Sequence, residues 1–207
     1  MRRREFILAS GALLVVPACA ANRTRISPAS LSGSPFRLGV ASGDPTADGI
    51  SLWTRLAPRP LEDGGMPMQP AAVTWELSES ADFSRIQRRG EITAWPEYGH
   101  NCKLRLGKLE AGREYFYRFR FGHFVSRVGR FRTAPAAGDK RPIRIAVVSC
   151  NRYEDGWFHA FRHIIDDDVD LVIHTGDYIY EKAPRNDRMR SHAGRACITV
   201  EEYRRRY

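Results

Sequence analysis

The sequence predicts a two-part chain: a β-sandwich over residues 36–134, followed by the start of an α/β domain over residues 143–207. Three observations predict it. Between residues 36 and 133 short β-type runs recur, separated by Gly, Pro and Asp, which is the punctuation of strands and turns. Residues 134–142 (APAAGDKRP) then read as a linker. Beyond it an apolar β-branched run, a helical pattern and a second apolar run follow in the order of a parallel strand-helix-strand unit.

At 207 residues, with 43% hydrophobic and 11% aromatic side chains, the chain can bury packed cores. The formal net charge of +9 is rich in Arg and scattered. It reads first as a solvated surface and second as an attraction for anionic substrates. No aromatic-interleaved basic helix, zinc finger or RNA-binding signature accompanies it, so nucleic acid is not read as a specific partner.

Residues 1–20 read as a signal peptide: Arg2, Arg3 and Arg4 precede an apolar run over 6–16 and then small residues. That run is well short of the roughly 20 residues a bilayer-spanning helix needs, so no transmembrane segment is expected in the mature chain. Arg3-Arg4-x-Phe6-Ile7 resembles the twin-arginine export signal, which makes that export machinery an expected partner and the periplasm or the exterior the expected location. Residues 16–19 also form a loose lipobox that would place a lipid on Cys19. Cleavage and lipidation both stay open. Residues 21–35 read as a linker. Cys102, Cys150 and Cys197 remain in the mature chain, and a Cys102–Cys197 bridge is open but not required by the spacing.

The sandwich strands are GISLWTRL, AVTWELSE, CKLRLGKL, REYFYRFRF and GRFRT. In the fourth, Tyr115, Tyr117, Phe119 and Phe121 alternate with Phe116, Arg118 and Arg120, so one face is wholly aromatic and needs a second sheet to cover it. LGKLEAGREYFYRFRF resembles the corner of fibronectin type III modules, with Leu109 before the turn and Tyr115 or Tyr117 opening the strand. In such modules the role is commonly that of a spacer or support.

In the second part, residues 144–149 (RIAVVS) and 170–174 (DLVIH) read as buried-type strands, and 157–165 (WFHAFRHII) as the helix between them. The tail ITVEEYRRRY predicts a helix capped by Thr199 with Glu202 three positions on. One such unit leaves strand edges unpaired, so it is expected to open a larger α/β domain.

Ligands gather at the carboxyl ends of parallel strands. The first strand ends in Ser149-Cys150-Asn151 and the second in Gly176-Asp177-Tyr178-Ile179-Tyr180-Glu181. Gly176 permits a tight turn, Asp177 offers two oxygens and Tyr180 a phenolate; with the Cys150 thiolate these favour a highly charged ion such as Fe3+. Taken alone, Cys150 would read as an inert buried thiol, and its position opposite GDYIY reverses that. His159 and His163 lack the glutamate of a zinc helix. His174 reads as packed, Glu181 as an outer support or a surface residue, and His192 and Arg195 as a solvated loop or a phosphate-facing one.

The segments FRLGVASGDPTADGISLWTRLAP, SCN, HTGDYIYE and SHAGRACITVEEYRRRY follow one another as they do in the alkaline phosphatase D family, which this chain resembles. The resemblance implies a fibronectin-like domain followed by a metallophosphoesterase domain, one Fe3+ and Ca2+ ions. It makes Cys150, Asp177 and Tyr180 metal ligands, Asp177 touching a second metal. It implies an exported enzyme that hydrolyses phosphate monoesters or diesters through a metal-activated water, at alkaline pH. Purple acid phosphatases share GDxxY but place Asp where this chain has Cys150. Asn151 stands where most relatives would have Gln. No GNH or GHxH motif is present. The sequence is therefore expected to be part of a longer protein, or a truncated, non-catalytic binding or support module.

Overall fold

The computed structural model describes residues 24–207. The signal peptide at 1–20, the candidate lipid site Cys19 and residues 21–23 lie outside the described residues. Strands β1 (Val40–Thr46), β2 (Gly49–Arg55) and β5 (Asn101–Leu106) form one antiparallel sheet in the order β1-β2-β5. Strands β3 (Ala71–Ser78), β4 (Ile86–Ala94), β6 (Glu114–Phe121) and β7 (Phe124–Val125) form a second in the order β4-β3-β6-β7, with β8 (Gly129–Arg132) also pairing β6.

The aromatic alternation of β6 dictates how these sheets meet. Tyr115, Tyr117, Phe119 and Phe121 are at most 2% exposed, and they share one core with Ile50 and Leu52 of β2, Val73 and Leu77 of β3, and Leu106 of β5. Burying four large aromatics from one strand supplies much of the driving force, at roughly 25 cal/mol per Å² of apolar surface. Tyr115 stacks on Phe131, with ring centroids 5.5 Å apart. Across the strand pair, Gly90 lies opposite Trp75, and a Cβ at Gly90 would come within 2.7 Å of the indole ring. Of the two corner candidates, Tyr115 is the one whose hydroxyl accepts a backbone hydrogen bond, from Glu110 N–H at 3.1 Å.

The second part contains β9 (Ile145–Val148), α1 (His159–Asp166), β10 (Leu171–His174) and α2 (Val200–Arg206). β9 and β10 pair in parallel, Ile145 opposite Leu171 through Val148 opposite His174. The expected strand-helix-strand order is present. The expectation that both strands are buried is not met: Ile145 is 50% and Val147 66% exposed, with Val172 and Ile173 also above 40%. Periodicity reports what a strand would bury, whereas the described residues offer these two only each other and one short helix. Cys102, Cys150 and Cys197 are all free thiols, so the open Cys102–Cys197 bridge does not form.

The two parts are tied by charge. Arg130 of β8 pairs with Asp168 at 3.0 Å and with Glu114 at 3.2 Å. Helix α2 starts with the predicted capping box: Thr199 Oγ1 accepts from Glu202 N–H while the Glu202 carboxylate accepts from Thr199 N–H. Its far end lies on the sandwich, where the buried Arg55 donates to Arg204 O at 3.2 Å. Among the described residues no helix is long and apolar enough to cross a membrane.

Candidate metal centre

Parallel pairing brings the ends of β9 and β10 side by side, and the pairing continues into the loops. Cys150 N–H donates to Gly176 O and Asn151 N–H to Asp177 O, both at 3.1 Å. Both exits turn through the left-handed region: Cys150 has φ 56° and Asp177 φ 57°, and Gly176, between β10 and Asp177, has φ 133°. For Cys and Asp that conformation costs on the order of 1–2 kcal/mol, the kind of strain that collects at functional sites. For Gly176 nothing lies within 4 Å of a would-be Cβ, so its requirement is conformational.

These turns converge three predicted side chains. Tyr180 donates its hydroxyl to Asp177 Oδ2 at 3.0 Å, and Cys150 points its thiol at the same oxygen from 3.6 Å. A hydrogen bond with Cys150, then burial, then the bond to Asp177 push the Tyr180 phenol up to about 12. Three acidic groups crowded on one point resist joint ionisation unless a cation joins them. The donor set of thiolate, carboxylate and phenolate fits ferric iron in kind. Asp177 Oδ1 takes part in neither bond. Among the described residues there is no group of three or more His, Cys, Asp and Glu able to hold a metal; Tyr180 is what makes this trio three.

The other candidates separate. His159 and His163 lie exposed on α1. His174 accepts from Gly176 N–H through Nδ1 at 3.2 Å, and its Nε2 lies 2.8 Å from the Asn151 amide, so both residues brace the two loops that follow β9 and β10. Glu181 is exposed, and its carbonyl accepts from Cys197 N–H. Arg195 is 81% exposed and pairs with Glu202. His192 does not lie in a solvated loop: its side chain is 8% exposed and neither ring nitrogen makes a hydrogen bond.

Sequence reasoning missed Glu154 and Arg152. Glu154, 2% exposed, sits in the turn after Cys150. Its carboxylate accepts from Arg185 N–H at 2.9 Å and faces His192 Nε2 and Arg152 Nε, each at 3.6 Å. Burial alone would raise its pKa; the Arg185 N–H, His192 and Arg152 outweigh that and hold it below the usual carboxylate range. Arg152 lies over the Tyr180 ring, 5.0 Å from its centroid. Together Arg152, Glu154, Tyr180, His192 and the rings of Phe158, Phe161 and Tyr178 line a cavity of about 200 Å³. The available signal was the short spacing between SCN and the acidic Glu154-Asp155 pair; the burial that gives Glu154 its role comes from the distant 185–192 segment.

Residues 19–135 match the model of the PhoD-like phosphatase N-terminal domain, and residues 145–207 match that of the PhoD-like phosphatase itself. The chain belongs to the PhoD-like phosphatase family. It is 39% identical over 218 aligned residues to alkaline phosphatase D of Bacillus subtilis (strain 168), an alignment covering 99% of this chain and 37% of that protein. A solved structure of PhoD superposes with a TM-score of 0.82 at 43% identity, over 85% of this chain and 35% of that one. The sequence thus spans little more than a third of the length of these relatives. The family carries over to the mostly β-sheet architecture described above.

Proposed function

We propose that this chain contributes metal ligands to a phosphoesterase that hydrolyses phosphate monoesters or diesters at alkaline pH. The observation that carries the reading is the convergence of Cys150 and Tyr180 on one oxygen of Asp177. Cys150, Asp177 and Tyr180 would hold iron, with Asp177 also reaching calcium, and these ions would supply Lewis-acid activation of water and neutralise charge on the phosphoryl group. The chain's own contribution is to hold the ligands. The continued β9–β10 pairing fixes Cys150 against Asp177, His174 and Asn151 brace the two loops, and Arg152 caps the Tyr180 ring. The basic excess of the chain favours approach of anionic esters.

The sandwich is proposed to be fibronectin type III-like, a reading supported by the Tyr115 corner bond. Export by the twin-arginine route, with cleavage near residue 20 or lipidation at Cys19, is proposed from Arg3-Arg4-x-Phe6-Ile7. The thiol at Cys150 favours this family over a purple acid phosphatase.

A second reading, a non-catalytic support module, is favoured by one observation: every buried hydrophobic residue of the described chain except Cys197 lies between Ile26 and Phe131. Metal analysis together with hydrolysis of an aryl phosphate and its bis-aryl diester separates the two. Stoichiometric iron and turnover that disappears in Asp177→Asn support the phosphoesterase. Measurable turnover that is unchanged in Asp177→Asn contradicts it, and a folded chain that takes up no iron favours the support module.

A further inference from the structure

We propose that helix α2 couples the β-sandwich to the metal-ligand loop, with Arg206 and Tyr207 as positioning residues. Arg206 is the centre of a three-carbonyl clamp. Its Nη1 donates to Tyr180 O at 2.6 Å and Lys182 O at 3.0 Å, and its Nη2 to Arg195 O at 2.7 Å. A guanidinium is the side chain that can span three fixed acceptors at once, because its donors are planar and its charge is permanent. The clamp grips the backbone of the ligand Tyr180 itself, without touching the metal-facing hydroxyl.

Tyr207 supplies a second and separate link. Its ring stacks on Tyr178, one residue after Asp177, at 5.6 Å and 26°, and meets the edge of Trp53 on β2 at 5.6 Å and 73°. The three rings form a continuous path from the sandwich sheet to the loop between the two proposed ligands. Helix α2 is anchored on the sandwich side by contacts independent of those rings. Arg55 donates to Arg204 O, Arg204 Nη2 to Glu97 O at 3.4 Å, and Arg205 pairs with Asp63 at 2.7 Å. Arg55 is 4% exposed and meets the carboxyl end of the helix, where a cation is favoured. The ligand loop has no buried hydrophobic residue of its own. Its order is set from outside, by a helix whose footing is Trp53, Arg55, Asp63 and Glu97 of the sandwich.

The spectroscopic arm of the test rests on the iron reading of the site, and the exchange arm does not. Amide hydrogen exchange of the whole chain, without added metal, is compared among wild type, Arg206→Ala, Arg206→Lys and Trp53→Ala. Exchange of the Asn151 and Cys197 amides, which donate to Asp177 O and Glu181 O of this loop, is expected to rise about tenfold in Arg206→Ala and Trp53→Ala, the size of one or two lost charged or ring contacts. Residues 115–121 should keep their protection, and Arg206→Lys should fall between. Ferric titration of the same proteins should then show weaker phenolate-to-iron absorbance in both alanine variants. Unchanged exchange at Asn151 and Cys197 overturns the coupling whatever iron does; so does an equal rise over 115–121, which marks general loosening. A wild type that takes up no iron removes the metal reading and leaves the exchange result to judge the coupling.

Discussion

Tyr180 and Asp177 meet through a single hydrogen bond of 3.0 Å across the turn that Gly176 opens, and Cys150 reaches the same carboxylate oxygen from the neighbouring strand. Residues 27 positions apart in sequence share one acceptor because the strands before them are parallel neighbours. That is the arrangement expected at the carboxyl edge of an α/β sheet.

The thiols should divide by environment. Cys150 is exposed, while Cys102 is fully buried and its pKa is pushed up to about 12 by that burial. At pH 8, iodoacetamide should modify Cys150 first in the native protein, with Cys102 and Cys197 reacting only after urea is added. Peptide mass mapping reads the order, and early labelling of Cys102 would contradict the packing described.

Core and exposed positions should differ sharply in cost. Phe119→Ala removes a ring that is wholly buried between two sheets, and about 3–5 kcal/mol of stability should be lost. Val147→Ala alters a side chain that is 66% exposed and should cost no more than about 0.5 kcal/mol. Urea unfolding followed by tryptophan fluorescence measures both.

Acid should release helix α2. Glu202 is held at about 2, first by the Thr199 N–H, then by Arg195 and the Ile198 N–H. Its folded pKa lies below the unfolded one, so the stability it gives is present above the ordinary carboxylate value of 4.5 and is lost as pH falls through about 2. Near-ultraviolet circular dichroism of the Trp53–Tyr207 pair should therefore decline in that window. In Glu202→Gln the decline should flatten, and Thr199→Ala should cost the helix about 1 kcal/mol through loss of the cap.

His192 should titrate low. Burial and the Arg206 charge push its pKa below the usual 6.5, against the opposing pull of Glu154. Proton NMR of the imidazole should show protonation below that value, and Glu154→Gln should lower it further. A rise in Glu154→Gln would mean that the carboxylate does not face the ring.

Several of these features were legible in the sequence for local reasons. The period-two aromatics of β6 fix which face is buried, Thr199 and Glu202 fix where α2 begins, and the two strand ends fix the trio Cys150, Asp177 and Tyr180. What escaped depends on contacts between distant segments. Glu154 and His192 look like surface residues until the 185–192 segment folds over the turn after Cys150. Arg206 and Tyr207 read as a helix end, and only the folded chain shows them between Trp53 and the loop that carries Asp177 and Tyr180. Strands β9 and β10 are more exposed than their apolar runs predict, because such a run records a capacity for burial, not its fulfilment.

The central claim is that Cys150, Asp177 and Tyr180 form one metal centre, and ferric titration followed by visible absorbance tests it most directly. The wild type should bind a single iron with a phenolate-to-iron charge-transfer band; Tyr180→Phe should bind without that band, and Cys150→Ser and Asp177→Asn should bind more weakly. An absorbance spectrum unchanged by Tyr180→Phe, or an affinity unchanged by either of the other two substitutions, would contradict the account.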